Sequence, residues 1–256
     1  MNGERFKMLK VPNLFVVAIV YLTMLGSVNA GGFISNLPKD GTRVVYELKF
    51  IAIESNENGP DLASAPKIEL ELASVGKGPK VKGQPTRWIE IVNRMLKDGK
   101  ERTEIAVCLF RESQLTRKET AMESLIKGAT QQGLASTDIN LDTDRIKDIE
   151  EAPFALIFGV KSQSIKELGQ KTWTVLDKKH ECDGIQTVIE VEESGFRLQL
   201  DAYYNDDLPF GLVKGTLVVE QKNQKVTAEI KLIEIKEGAK PSIPLEKIVD
   251  SGKIKE

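Results

Sequence analysis

The sequence predicts a mainly β protein of the α+β class, antiparallel in its pairing, with one principal helix. Three observations carry that prediction. Apolar and polar residues alternate with period two in stretches such as 44–50 and 68–72, the mark of strands with one buried face. Turn signals divide these stretches into hairpins; the clearest is Asp98-Gly99 between residues 87–95 and 103–110. Only one segment spaces its apolar residues three and four apart, at Met122, Leu125, Ile126 and Ala129.

The chain opens on a stretch with the three parts of a secretory signal. Arg5, Lys7 and Lys10 precede an apolar run over residues 14–25, and Val28-Asn29-Ala30 supplies small residues ahead of Gly31. Cleavage is therefore expected between Ala30 and Gly31. The alternative is an uncleaved anchor, but residues 14–30 lie at the short limit of what crosses a bilayer.

After a turn-rich lead-in over residues 36–41, Val44, Tyr46, Leu48 and Phe50 define a first strand, and Ile68, Leu70 and Leu72 a second. The Asp98-Gly99 hairpin follows. Thr116 and Glu119 form a capping box at the head of a helix expected over residues 117–132. Residues 134–149 are polar, and 153–160 form a short apolar run of undecided type. From Gln170 the pattern is again β: residues 171–176, then 186–191 and 196–203 as one hairpin, then 212–219 and 226–235 as another. The expected organisation is a signal at 1–30, one β-rich domain at 31–240, and a loosely ordered tail at 241–256. Two β-rich halves, 31–135 and 165–236, are the alternative division. Hairpins with one solvated face favour antiparallel over parallel pairing.

Removing thirty residues from 256 leaves 226, a usual size for one domain or two small ones. The whole chain is 41% hydrophobic and 29% charged, too apolar for general disorder. With the signal gone the formal charge moves from −2 to −4. There is no basic excess, so a nucleic-acid partner has no electrostatic footprint.

Few residues carry a chemical signature. His180 is the sole histidine and stands two residues before Cys182; on a strand both would share a face. A thiolate–imidazole pair is a nucleophile arrangement, but here lysines and Asp183 surround the two, and a surface histidine is the simpler reading. A zinc site from His180, Cys182 and Cys108 would lack a fourth ligand. In an exported chain the two cysteines, Cys108 and Cys182, are candidates for one disulfide. It would close a ring of about 75 residues and contribute about 4 kcal/mol if its geometry is relaxed. Two separate thiols are the alternative, with Cys108 a small buried hydrophobe. Asp138, Asn140, Asp142 and Asp144 alternate like the first half of a calcium loop, but Thr143 and Ile149 stand where glycine and a bidentate glutamate belong. No nucleophile elbow, phosphate loop or dinucleotide fingerprint is present, so no catalytic, cofactor or metal residue is assigned. Trp88 and Trp173 read as core or sheet-face residues.

Two further segments carry a resemblance: residues 107–115, Val-Cys-Leu-Phe-Arg-Glu-Ser-Gln-Leu, and residues 208–214, Leu-Pro-Phe-Gly-Leu-Val-Lys. With the lead-in at residues 37–42, they resemble an uncharacterised family of exported planctomycete-type β-rich proteins. The C-terminal part also resembles envelope proteins related to lipoprotein-carrier half-barrels. That likeness implies a curved, half-barrel-like antiparallel sheet with an apolar concavity, and no catalytic residue.

Together these readings give an exported cell-envelope protein, secreted or periplasmic, with membrane contact only through its N-terminal segment before cleavage. It is expected to bind an apolar ligand or lipid in a concave sheet. A ligand-free structural or interaction module, partnered by another envelope protein, is the alternative. An enzyme is less favoured, although carboxylate pairs leave a hydrolase open. No cofactor is expected.

Overall fold

The computed structural model describes residues 33–55, 62, 65–114, 125–132, 139–140, 164–191, 196–221 and 224–250. Within them eleven strands form one open antiparallel sheet: β1 (Arg43–Ser55), β2 (Lys67–Lys77), β3 (Thr86–Lys97), β4 (Lys100–Arg111), β5 (Leu125–Gln132), β6 (Ile139–Asn140), β7 (Ser164–Val175), β8 (Lys178–Val191), β9 (Phe196–Tyr204), β10 (Leu212–Gln221) and β11 (Gln224–Lys236). The lateral order is β6-β5-β4-β3-β2-β1-β11-β10-β9-β8-β7. Two meanders, each of strands adjacent in sequence, thus meet at the β1–β11 ladder. That ladder runs from Arg43 opposite Lys236 to Ser55 opposite Gln224. The two β-rich halves of the sequence are adjoining parts of one sheet.

The tightest hairpins use two-residue turns with both central residues left-handed, the geometry that matches strand twist. At the β3–β4 turn these are Asp98 (φ 51°) and Gly99 (φ 73°), between paired Lys97 and Lys100. At the β7–β8 turn they are Leu176 (φ 50°) and Asp177 (φ 62°), between paired Val175 and Lys178.

Burial divides the sheet. β9 alternates strictly between buried and half-exposed residues, and most of β10 and β11 does the same: one face packs and the other meets water. β3 and β4 instead bury six to eight consecutive residues, because both of their faces are covered. One apolar cluster runs along the inner face from Cys108 and Ile89 to Leu200 and Leu198. A second joins Ala73, Trp88, Val92, Ile105, Val107 and Leu109 on the outer face to Ile243 and Ile248. The segment after β11 therefore lies across the outer face of β2–β5 and ends in the short helix α1 (Leu245–Asp250).

Three expectations need correction. The helix expected over 117–132 is strand β5 from Leu125 onward; its first part lies outside the described residues. Pairing with the edge of β4, from Phe110–Leu125 to Glu104–Gln132, overrides the helical spacing. The tail from 241 is docked through residue 250, with Ile243 and Ile248 fully buried. Cys108 and Cys182 are both buried free thiols. β4 and β8 stand seven positions apart in the sheet order, and no bond joins them. Residues 1–32, with the expected cleavage point, and Asp138, Asp142 and Asp144 of the calcium-like pattern lie outside the described residues.

Candidate functional site: the apolar inner face

Directly paired residues of antiparallel strands share a face, so the ladders trace the inner surface in rows. One row runs Ala106, Ile91, Leu72, Val44 and Ile235. A second runs Met95, Ile68, Leu48, Ile230, Gly215, Ala202 and Ile185. A third runs Phe50, Ala228, Leu217, Leu200 and Thr187. Period-two alternation aligns these side chains in the outer strands of the row; in β9 or β11 a one-residue slip would replace the apolar set with polar and charged residues.

The two ends of this surface differ. At the end where β1 and β3 begin, residues 33–37 and the 205–211 turn close over the strands. Phe33 packs edge-to-face on Tyr46 at 5.5 Å. Ser35 N–H donates to Phe210 O at 2.8 Å, and Asn36 Nδ2 donates to Asp206 O and Leu208 O at 2.8 and 2.9 Å. Gly211 is left-handed (φ 83°), and a Cβ there would overlap Ser35 Oγ. The Leu-Pro-Phe-Gly segment singled out in the sequence is thus a closure device. Beside it, buried Arg87 donates through Nε to Glu112 Oε1 at 2.9 Å and through Nη1 to Asp40 and Ser74. Tyr46 hydroxyl donates to Leu212 O at 3.2 Å, and burial holds its pKa far above the ordinary phenol range.

At the opposite end, where β1 and β3 finish, Phe50, Ile53 and Met95 are only partly buried, and Ile51 and Leu96 are exposed. Asn93 lies nearby on the inner face, in a row between Leu70 and Glu104. It is 5% exposed, and its Oδ1 meets no hydrogen-bond donor among the described residues. A buried acceptor without a donor costs about 1–3 kcal/mol, so this oxygen is a point of unmet demand in an apolar surface. The sequence reading passed it over; its signal was one polar residue in the alternate positions Ile89, Ile91, Asn93 and Met95.

The residues singled out for chemistry do not assemble. Cys108 sits in the core, and burial pushes its thiol up to about 12, where almost no thiolate exists to attack or to bind metal. His180 and Cys182 share strand β8, where Cys182 is buried and its thiol donates to His180 O at 3.5 Å. No group of three or more metal-ligating side chains occurs among the described residues. On the outer face, Glu71 accepts from Arg43 at 3.3 Å and Arg94 at 3.1 Å. Glu90 accepts from Ser242 N–H at 2.6 Å and Oγ at 3.1 Å. Burial, with a smaller contribution from Glu71, raises the Glu90 pKa above the usual carboxylate range despite those donors. Both carboxylates are held in structural contacts.

No protein-family model and no curated protein matches the chain. Among solved structures, it is similar to a lipoprotein by provisional assignment from Parabacteroides distasonis, at 8% identity and TM-score 0.37, over 81% of this chain and 99% of that one. It is also similar to an exported protein, again by provisional assignment, with a YmcC-like fold from Bacteroides fragilis, at 6% identity and TM-score 0.34, over 80% and 100%. A third is a β-barrel-like protein of a domain family of unknown function from Brucella abortus, at 10% identity and TM-score 0.23, over 80% and 99%. None of these matches bears on the planctomycete-type resemblance. No helix among the described residues is long and apolar enough to cross a membrane.

Proposed function

We propose that this chain is an exported cell-envelope protein, secreted or periplasmic after cleavage at Ala30, that binds an apolar ligand of the lipid class on the inner face of a curved, half-barrel-like sheet. The observation that carries this reading is the predominantly apolar inner face, traced from β4 to β8 and interrupted at Asn93, with one end closed by aromatic residues and the other rimmed by half-buried Phe50, Ile53 and Met95. A flat sheet of eleven strands would be about 50 Å wide and would leave such a face wet. Large twisted sheets curl instead, which brings the inner side chains against one another, so an acyl chain would enter from the half-buried end at Phe50, Ile53 and Met95. On this reading the described residues form a single domain, since both meanders contribute to that face.

The test is direct. The exported form, recovered from an expressing cell and extracted with organic solvent, is expected to release a stoichiometric lipid or lipid-like amphiphile detectable by mass spectrometry. Native mass spectrometry that finds only the bare chain, before and after incubation with mixed envelope lipids, would favour a ligand-free interaction module.

A further inference from the structure

β7, the edge strand of the β7–β8 hairpin, is the least buried long strand of the sheet. β7 is exposed on both sides along nearly its whole length, whereas the other long strands bury at least one. The hairpin is nevertheless held firmly at its neck. Val175 and Cys182 are buried in the inner core, and Trp173 packs edge-to-face on Tyr203 of β9 at 5.4 Å. Beyond that neck stand Leu176, Asp177, Lys178 and Lys179, all exposed.

The turn residue is the anomaly. Leu176 takes φ 50° and remains 39% exposed. A bulky residue in the left-handed region is a conformational outlier, and the first position of this turn type ordinarily carries Asn, Asp or Gly. The β3–β4 hairpin of the same molecule uses that ordinary solution, Asp98-Gly99. At the β7–β8 turn the chain accepts strain and simultaneously places an apolar side chain in water. Local rules that fail together at one exposed site mark a functional position.

The surroundings indicate what Leu176 meets. Lys178 and Lys179 follow it directly. Two residues before Val175 stands Trp173, with the ammonium groups of Lys171 and Lys214 each 4.4 Å from its ring centroid. Lys214 is also paired with Glu229 at 2.5 Å; Asp177 and Glu181 offset two of the three charges on Lys171, Lys178 and Lys179, so the tip keeps a small positive excess, carried at the turn by Lys178 and Lys179. An apolar tip flanked by lysines, with an aromatic residue one step behind, has the chemistry of an interfacial anchor: the apolar group enters the acyl boundary while the cations meet anionic headgroups. We propose that the β7–β8 hairpin is a docking finger for an anionic lipid surface, with Leu176 its inserting residue and Lys178 and Lys179 its headgroup contacts. This site is separate from the inner face and stands or falls independently of what that face binds.

The exported form of the chain is sedimented with phosphatidylglycerol vesicles and with phosphatidylcholine vesicles at low and high salt. Binding is expected to phosphatidylglycerol alone and to weaken with salt. Leu176→Asn should weaken it about tenfold, and Lys178→Gln with Lys179→Gln about 30-fold. Because Asn suits the left-handed turn, Leu176→Asn should melt at the native temperature or above it, so weaker binding cannot be ascribed to misfolding. Equal binding of the native chain and Leu176→Asn overturns the proposal. So does equal binding to both vesicle types, or the failure of vesicles of either kind to sediment the native chain at low salt; a protein partner would then be the reading of the finger.

Discussion

The two meanders are built from similar strands yet use them differently. In the β8–β11 meander one face of each strand packs and the other is a solvated mosaic of opposite charges, such as Lys214 with Glu229 and Arg197 with Glu220. In the β2–β5 meander both faces pack, because the chain returns after β11 and lays residues 239–250 over the outer face. The difference teaches that a single-layered sheet can be stiffened on one side only. The covered half gains a second core around Trp88. The uncovered half is tied to it through the β1–β11 ladder and carries the exposed hairpin.

That contrast can be broken by placing the same charge on each outer face. Val107→Asp on β4 puts a carboxylate into the covered core and should cost more than about 4 kcal/mol. Thr227→Asp on the outer face of β11 should change stability by no more than about 0.5 kcal/mol. Urea unfolding measures both, and equal losses would remove the distinction. Next in size, Ile248→Ala should cost about 2–5 kcal/mol, since the α1 side chain fills the outer core; a neutral result would mean that the terminal segment is not docked in solution.

Smaller effects sharpen the picture. Asn93→Leu replaces an unpaired buried acceptor with an apolar group of similar size and should raise stability by about 1 kcal/mol; denaturant midpoints report it. Thiol titration of the unfolded, unreduced protein should find two free thiols, because Cys108 and Cys182 are unbonded; finding none would restore the disulfide. Glu90 has a raised pKa in the folded chain. Its protonated form is therefore favoured by folding: the stabilisation is fully present below the unfolded pKa and is lost as pH rises through the folded one. Relative to Glu90→Gln, which does not titrate, the native chain should gain stability as pH falls from 7 toward 4. A constant difference between the two across that range would contradict the assignment.

Much of this fold was legible in the chain itself. The alternation in β1, β2 and β9–β11 and the Asp98-Gly99 turn located seven of the eleven strands, and the stretches 171–176 and 186–191 marked parts of β7 and β8. What was not legible depended on contacts distant in sequence. Leu125, Ile126 and Ala129 satisfy a helix stripe, and only the free edge of β4 makes them a strand. Ile243 and Ile248 lie in a proline-bearing tail whose docking requires an outer face already in place. The Leu176-Asp177 turn offers no glycine or asparagine to read. The inner face was implied by alternation, but its continuity rests on the β1–β11 pairing, which joins strands nearly 180 residues apart.

The inner face is the centre of the functional reading, and one measurement addresses it most directly. Native mass spectrometry of the exported form, gently desolvated and then dissociated, should show a one-to-one adduct in the mass range of a lipid. Replacing inner-face Leu217 or Leu48 by Asp should abolish the adduct, whereas outer-face Thr227→Asp should retain it. A chain that carries no adduct and takes up none from envelope lipids, while remaining folded, would contradict an apolar ligand site and leave the inner face as core alone.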